Sequence, residues 1–498
     1  MPRTIPNVFH LQRTMNRKPS LFARQFLGSL LLAICSPLVH SQITQIVDAT
    51  GDGAGNILSG TYDIAVDDLG NAFVVGQNSD NAFKITPGGI VTQIIDASGD
   101  GQGNALDGPK SIAVDSAGNV FVTGSGSRNV FKISPGGSIT QILDFTGDGN
   151  GNFLGPPQGL TVDGADNLYV AGYSSNNAFR VTPGGVVTLL IDSSGDGLGN
   201  GLINAVDTAV DPSGNVYVTS LTQARVFKIS TGGVITKVLD MTGDGLGNSL
   251  VSPGGVATDA AGNAYVVGTF SDNVFRISAG GAISQIMDAS GDGMGNVLDA
   301  PLGIIVDSNG NIYVTAAGRT GTFQIDPSGV IRPLIGFDGD GAGNFMFVGQ
   351  GVDLDAAEDI YVAASQSHNA FRICRPGAAS ETVRSGTPPN PGVLSRNAGG
   401  PPVIGTTWMP EVSGVPSSLD LIFLDPSGTA INLPISYGTL LCAPVELYSG
   451  GAGTPIPLAI PGDCSLVGRS VCVQGAGLTF GPLSVSMTNA LDVVVGTY

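Results

Sequence analysis

The sequence is short of glutamate. Of its 40 acidic residues only four are Glu, and the other 36 are Asp. Glu favours helices whereas Asp hydrogen-bonds turn backbone, so the imbalance argues against a helical protein and places the negative charge in loops. Charge of either sign is sparse at 12% of residues, while glycine reaches 75 of 498. That composition supports a turn-rich, all-β chain. Histidine is scarcer still: His10 and His40 lie within the first 41 residues, and His368 stands alone in the rest. A catalytic centre built on paired histidines is therefore excluded. Long apolar runs are missing too. The stretch FLGSLLLAIC at 26–35 is too short to cross a bilayer, and no other segment resembles a membrane span.

What the first 41 residues do contain is five basic side chains, no acidic one and that apolar run, the pattern of a secretory signal. Val39 and Ser41 provide small residues for cleavage before Gln42, and Met15 offers an alternative start that would give a signal of ordinary length. Cys35 is a poor lipid-attachment site, because Ile34 stands where a small residue is needed. The expected product is secreted, periplasmic or held at the cell surface. Without that segment 16 basic residues face 40 acidic ones, a net charge of about −24, which excludes nucleic acid and anionic membranes as partners and favours cations. Four cysteines remain, at 374, 442, 464 and 472. An even count in an exported chain permits two disulfides. Cys464 and Cys472 flank the turn-like SLVGRS and are the expected pair, leaving Cys374 for Cys442.

Repetition dominates the remainder. DATGDGAGN at 48–56 returns as near copies beginning at Asp96, Asp144, Asp192, Asp240 and Asp288, and an altered copy, GFDGDGAGN, begins at Gly336. Every interval is 48 residues. Each unit holds four β-like runs, as in SIAVD, NVFVTG, NVFKIS and SITQILD at 111–144, and four strands per unit is the signature of a propeller blade. DSAGN at 115–119 and its equivalents mark a tight hairpin with Gly at a left-handed position. Units three and seven put Asp166 and Glu358 there instead. TPGG at 86–89 places Pro before Gly, which predicts a type II turn. Phe83, Phe131, Phe179, Phe227, Phe275, Phe323 and Phe371 recur at one position of the third strand, the expected packing between blades.

APLGIIVDSNGNIYVT at 300–315 and GPPQGLTVDGADNLYVA at 155–171 resemble the NHL-type propeller repeat, whose core reads approximately Pro-x-Gly-Ile-Ala-Val-Asp-x-x-Gly-Asn-Ile-Tyr-Val. The resemblance covers residues 43 to 374. It implies a seven-bladed propeller, an architecture that serves lyases, lactonases and plain binding modules alike. The first run, ITQIVD at 43–48, is a fourth strand with no blade before it, and the last unit stops at its third strand, NAFRIC at 369–374. The N-terminal strand therefore completes the last blade and closes the ring. A Pro/Gly/Ser/Thr-rich stretch at 375–402 reads as a linker. Residues 403–498, which hold the only tryptophan, Trp408, read as a small all-β module similar to terminal modules of exported bacterial repeat proteins.

The recurring nonapeptide has Asp at position 1, Thr or Ser at 3, Asp at 5, Gly at 6 and Asn at 9, resembling the first nine positions of an EF-hand or dockerin calcium loop. Hard cations take oxygens at this spacing, and Gly allows the sharp turn between them. The candidate ligands are Asp48, Asp52 and Asn56; Asp96, Asp100 and Asn104; Asp144, Asp148 and Asn152; Asp192, Asp196 and Asn200; Asp240, Asp244 and Asn248; Asp288, Asp292 and Asn296; and Asp338, Asp340 and Asn344. In the last copy Gly336 removes the first carboxylate and Asp338 replaces it two residues on. The twelfth position, where an EF-hand has a bidentate Glu, holds Ser59, Asp107, Gly155, Ile203, Val251 and Asp299, so the loops predict weak calcium sites completed by water or by neighbours such as Asp80 and Asp272.

A catalytic site breaks repeat symmetry, and these repeats are nearly uniform. The sequence therefore predicts a monomeric, calcium-binding recognition module whose loop face meets a polysaccharide or a protein. A metal-dependent lactonase or lyase in the central channel is the alternative, with Asp63 and Asp207 near the start of inner strands as its carboxylates.

Overall fold

A computed structural model describes residues 43–318 and 321–375 and, C-terminal to these, strands between 380 and 494. All of the described secondary structure is β. Seven four-stranded antiparallel sheets form the ring. In the first, Thr61–Val66 is the inner strand, followed outward by Ala72–Gly76, Asn81–Ile85 and Val91–Ile95. The same four-strand meander recurs through the sheet that starts at Gly349–Leu354.

The ring closes as the orphan strand requires. Ile43–Val47 lies antiparallel to Asn369–Ile373, with Ile43 opposite Ile373 and Gln45 opposite Phe371. The edge that three strands would expose is thereby paired.

The recurring phenylalanines are completely buried. Phe83 shares its core with Tyr361, Ala363 and Ala370 of the preceding blade and with Leu58 of the incoming loop, so these rings are the packing between blades that their period predicts. Between the second and third strands Lys84 lies 5.7 Å from the Phe73 ring and Lys132 5.6 Å from Phe121. Blades four and seven repeat the arrangement with Lys228 over Tyr217 and Arg372 over Tyr361. Such stacking lets long cationic side chains cover aromatic surface while their charge stays near water.

The TPGG turn differs from expectation. Gly89 donates to the Thr86 carbonyl at 2.8 Å and has φ +80°, whereas Gly88 is not left-handed. This is a type I turn followed by a left-handed glycine, whose twist suits the flanking strands; Pro87 satisfies both turn types and does not discriminate. Asp166 and Glu358, with φ +60° and +64°, do adopt the glycine conformation. Their carboxylates explain the exchange: Asp166 accepts from the Ser116 amide and hydroxyl, both at 2.9 Å, and Glu358 accepts from the Ser308 amide and from Asn309. Each joins its hairpin to that of the preceding blade.

Beyond the ring, Ser484–Val494, Ser470–Thr479, Leu419–Asp425 and Glu446–Gly451 form one antiparallel sheet. Ser380–Arg384, within the stretch expected to be a linker, adds to its edge by pairing with Ser484–Val494. Cys374 is buried at the end of the ring; the side chains of Cys442, Cys464 and Cys472 lie outside the described residues, as do residues 1–42 with the expected signal and cleavage point.

Candidate functional site

The nonapeptide connects the outer strand of one blade to the inner strand of the next, on the same face as the loops between second and third strands. In the first copy Asp48 Oδ1 accepts from the Thr50 amide at 2.8 Å and hydroxyl at 2.5 Å. Asp52 Oδ1 accepts from the amides of Ala54 and Asn56, and its Oδ2 accepts from Asn56 Nδ2 at 2.6 Å. The Asn56 side chain, with the Ala54 amide, holds the Asp52 carboxyl below the usual carboxylate range, and Asp100, Asp148 and Asp244 are held down in the same way by Asn104, Asn152 and Asn248. Asp196 with Asn200, Asp292 with Asn296 and Asp340 with Asn344 repeat the pair. Asp96, Asp144, Asp192, Asp240 and Asp288 each bond the Ser or Thr two residues on. Thus the structure couples position 5 with 9 and position 1 with 3. Among the described residues no three acidic, Cys or His side chains are arranged to hold a metal.

The two glycines of each GDG segment do different work. A Cβ on Gly51, at φ +62°, would lie 1.9 Å from the Asn56 carbonyl oxygen and 3.0 Å from the Phe83 ring; one on Gly53, at φ +69°, would meet nothing within 4 Å. Gly53→Ala should therefore cost only the left-handed strain, about 1–2 kcal/mol. Gly51→Ala adds an overpacking cost of roughly 1–3 kcal/mol, and denaturant melts of the two variants should differ accordingly. Equal losses would show that the loop does not lock against Phe83.

Several supports of this face were not expected from the sequence. Leu58, Leu106, Leu154, Leu202, Leu250 and Leu298, with Met346 in the seventh copy, anchor each loop in the core, and their 48-residue period is the signal that marks them. Asn81 Nδ2 donates to the Ile57 carbonyl at 2.9 Å, and Asn129, Asn177, Asn273 and Asn369 do the same in their blades. Asp80 and Asp272, the neighbours expected to complete calcium sites, accept from the amides of Gly108 and Ala300, each at 2.8 Å. His368 takes the equivalent place at the closure, where its Nδ1 accepts from the Gly60 amide at 2.8 Å. It is a link between the last blade and the first.

The seven inner strands surround a channel of about 470 Å³. Asp63 and Asp207 do face it, but their oxygens serve the neighbouring blade. Asp63 Oδ2 accepts from Ser111 Oγ at 2.7 Å and the Ile112 amide at 3.1 Å; Asp207 Oδ2 accepts from the Val256 amide at 3.0 Å. Gly351 and Gly159 make room for them, since a Cβ there would lie 2.1 and 2.3 Å from the respective Oδ1 atoms. Asp353, a third channel carboxylate that was not expected, accepts from the Val66 amide at 2.8 Å. Burial pushes Asp63 up to about 6 and Asp207 and Asp353 up to about 7, and the charge of Asp63 adds to the rise at the other two. At the loop-face mouth Lys110 donates to Gln158 at 3.1 Å and stands 5.6 Å from the Tyr62 ring, while Val206 and Leu302 line the other side.

These features define a β-propeller repeat protein. The family described as "Beta-propeller repeat" matches at residues 91–132, from an outer strand through the third strand of the next blade. Among solved structures, virginiamycin B lyase from Staphylococcus aureus is 15% identical, with a TM-score of 0.52, covering 66% of this chain and 98% of its own. A streptogramin B lyase is 14% identical, with the same TM-score, covering 66% and 96%. A gluconolactonase from Xanthomonas campestris is 14% identical with a TM-score of 0.41, covering 66% and 88%. At this identity the likeness concerns the fold alone. No curated protein sequence matches the chain. No helix among the described residues is long and apolar enough to cross a membrane.

Proposed function

We propose that this chain is an exported, NHL-type propeller that binds calcium weakly in its nonapeptide loops and uses the loop face as a recognition surface. The supporting observation is the Asp52–Asn56 pair and its six equivalents. Asp52 Oδ2 and the Asn56 amide end lie 2.6 Å apart, and turning that amide over replaces a donor with an oxygen. Two oxygens then face one cation, and water completes the shell, as suits weak extracellular calcium loops. A metal that binds only the folded ring stabilises it by RT ln(1 + [L]/Kd), about 0.4 kcal/mol per site when the free ion equals its Kd. Six or seven loops add roughly 2–3 kcal/mol by the same relation. The melting temperature should rise with millimolar calcium and fall with chelator, and Asp52→Ala with Asp100→Ala should remove part of the shift. No heat of calcium binding by titration, with a melt indifferent to chelator, sinks the metal reading.

The enzyme reading draws its support from the channel mouth, where half-buried Lys110 and Tyr62 break the repeat. It would make the chain a lyase or lactonase of the kind found on this fold. A crystal grown with calcium separates the two: one unique central ion favours the enzyme, and several equivalent peripheral ions favour the scaffold.

A further inference from the structure

The loops share one backbone but not one surface. At the seventh position of the nonapeptide the residues are Ala54, Gln102, Asn150, Leu198, Leu246, Met294 and Ala342. The amide at this position donates to the preceding Asp whether the side chain is Ala54, Leu246 or Met294, so the fold does not dictate what projects there. Yet Leu246 is 85% exposed and Met294 81%. Phe270, 77% exposed, lies beside Leu246's loop through its hydrogen bond to the Val251 carbonyl. In the seventh loop Phe337 packs against Phe345 and Phe347 with ring centroids 5.6 and 4.6 Å away, and both Phe337 and Phe345 remain exposed. Leu198 in the loop at 192–203 is as exposed as Leu246, and Phe145 and Phe153 are exposed in the loop at 144–155, whereas the loop at 96–107 exposes no large apolar side chain. The apolar tips therefore run on successive loops from 144 to 347, and the last three loops are the C-terminal part of that run. Scattered exposed leucines are ordinary, but apolar tips gathered on successive loops of one face mark an interaction surface.

Charge selects the partner. The three successive loops at 240–251, 288–299 and 336–347 contain seven Asp and no Lys, Arg or His. Asp240 is paired with Lys237 of the preceding strand at 2.7 Å, and the other six have no such ion pair among the described residues. We infer that this arc of the loop face docks a polypeptide segment that carries Lys or Arg interleaved with aliphatic or aromatic side chains. Acidic groups set around apolar tips complement such a segment in both respects. The exposed rings of Phe270, Phe337 and Phe345 would also stack on a sugar, so what favours a peptide is the acidic charge, which a neutral polysaccharide leaves unanswered. A second copy of this chain would set one acidic arc against another. The inference rests on the recognition role proposed above but not on its calcium.

The test is a titration in chelator with a labelled peptide alternating Lys and Leu, beside Lys/Ser and Glu/Leu controls. The Lys/Leu peptide should bind, lose at least about tenfold in affinity in 0.5 M salt as screening demands, and lose a similar factor in the Leu246→Ser/Phe270→Ser/Met294→Ser variant, whose melt should match the parent. Equal binding to the triple variant, or equal binding of Glu/Leu peptide, overturns the inference. Binding of a neutral polysaccharide that the triple variant abolishes, with no peptide binding, overturns the partner class and keeps the recognition surface. Concentration-dependent dimerisation abolished by the same variant assigns the arc to a second copy and also overturns it. A calcium melt that fails while the peptide binds removes the metal and leaves this surface standing.

Discussion

A chain that begins at Asp48 should lose its cooperative melt. Without Ile43–Val47 the last blade keeps three strands, and Asn369–Ile373 becomes an open edge. Ile43 and Val47 are both buried, and Ile43 packs with Tyr313, Phe371 and Ile373. Burying two such side chains is worth roughly 1.5–3 kcal/mol each, and each lost ladder hydrogen bond removes about 1 kcal/mol more. Together these approach the whole stability of an ordinary domain, about 5–15 kcal/mol. The effect should exceed the sum, because an open ring lets the first and last blades part, and the Gly60–His368 link goes with them. Calorimetry of the truncated chain should show a broad transition or none, and an exposed edge should promote aggregation. Adding a synthetic peptide of residues 42–48 should restore the transition. Thr44→Ala, at an exposed position, should be silent. A truncated ring that melts within a few degrees of the intact one would mean that closure contributes little.

The ring itself could be read from the sequence because period, turn chemistry and an orphan strand point to one answer. Each is a property of consecutive residues. What the sequence did not disclose depends on atoms brought together across blades. Asp353 stands where the other inner strands have Ala, Thr or Ile, and only the ring shows that its neighbour is the Val66 amide. Asp63 and Asp207 stand out for breaking the repeat, but their meaning requires Gly351 and Gly159 opposite them. The TPGG turn failed for a local reason: Pro at its second position fits two turn types, and the choice between Gly88 and Gly89 as the left-handed residue belongs to the strands on either side. At the candidate site, the candidate ligands were legible as residue types. Their pairing, position 5 with 9 and 1 with 3, was not, since it depends on side-chain rotamers within the loop. The apolar tips are visible in the sequence too, but exposure is what distinguishes Leu246 from the fully buried Leu250 four residues on.

The three channel carboxylates should make the ring less stable as pH rises through neutrality. A carboxyl whose native pKa lies above its unfolded value holds a proton in the fold at pH values where the unfolded chain has lost it. The native state then binds more protons, so stability is greatest below about pH 4 for these groups and is lost through the window up to about 6 for Asp63 and about 7 for Asp207 and Asp353. The opposite limb comes from Asp240 and Asp326, both lowered to about 2, the first chiefly by Lys237 and the second by Ser328; their contribution is complete above about pH 4 and disappears as pH falls to 2. The melting temperature should therefore peak near pH 4–5 and decline towards 8. A tenfold change in a group's acidity between the folded and unfolded chain corresponds to about 1.4 kcal/mol. Channel water and relaxation screen part of that, so a decline of a few kcal/mol in all is expected. Asp207→Asn/Asp353→Asn keeps an oxygen for the Val256 and Val66 amides and removes two buried charges. It should match the parent at pH 4.5 and melt several degrees higher at pH 8. Asp107→Asn/Asp299→Asn removes two charges from the exposed loop face instead, and so controls for net charge. If both double variants shift the pH 8 melt equally, the decline belongs to the overall negative charge and the channel carboxylates have no special part in it.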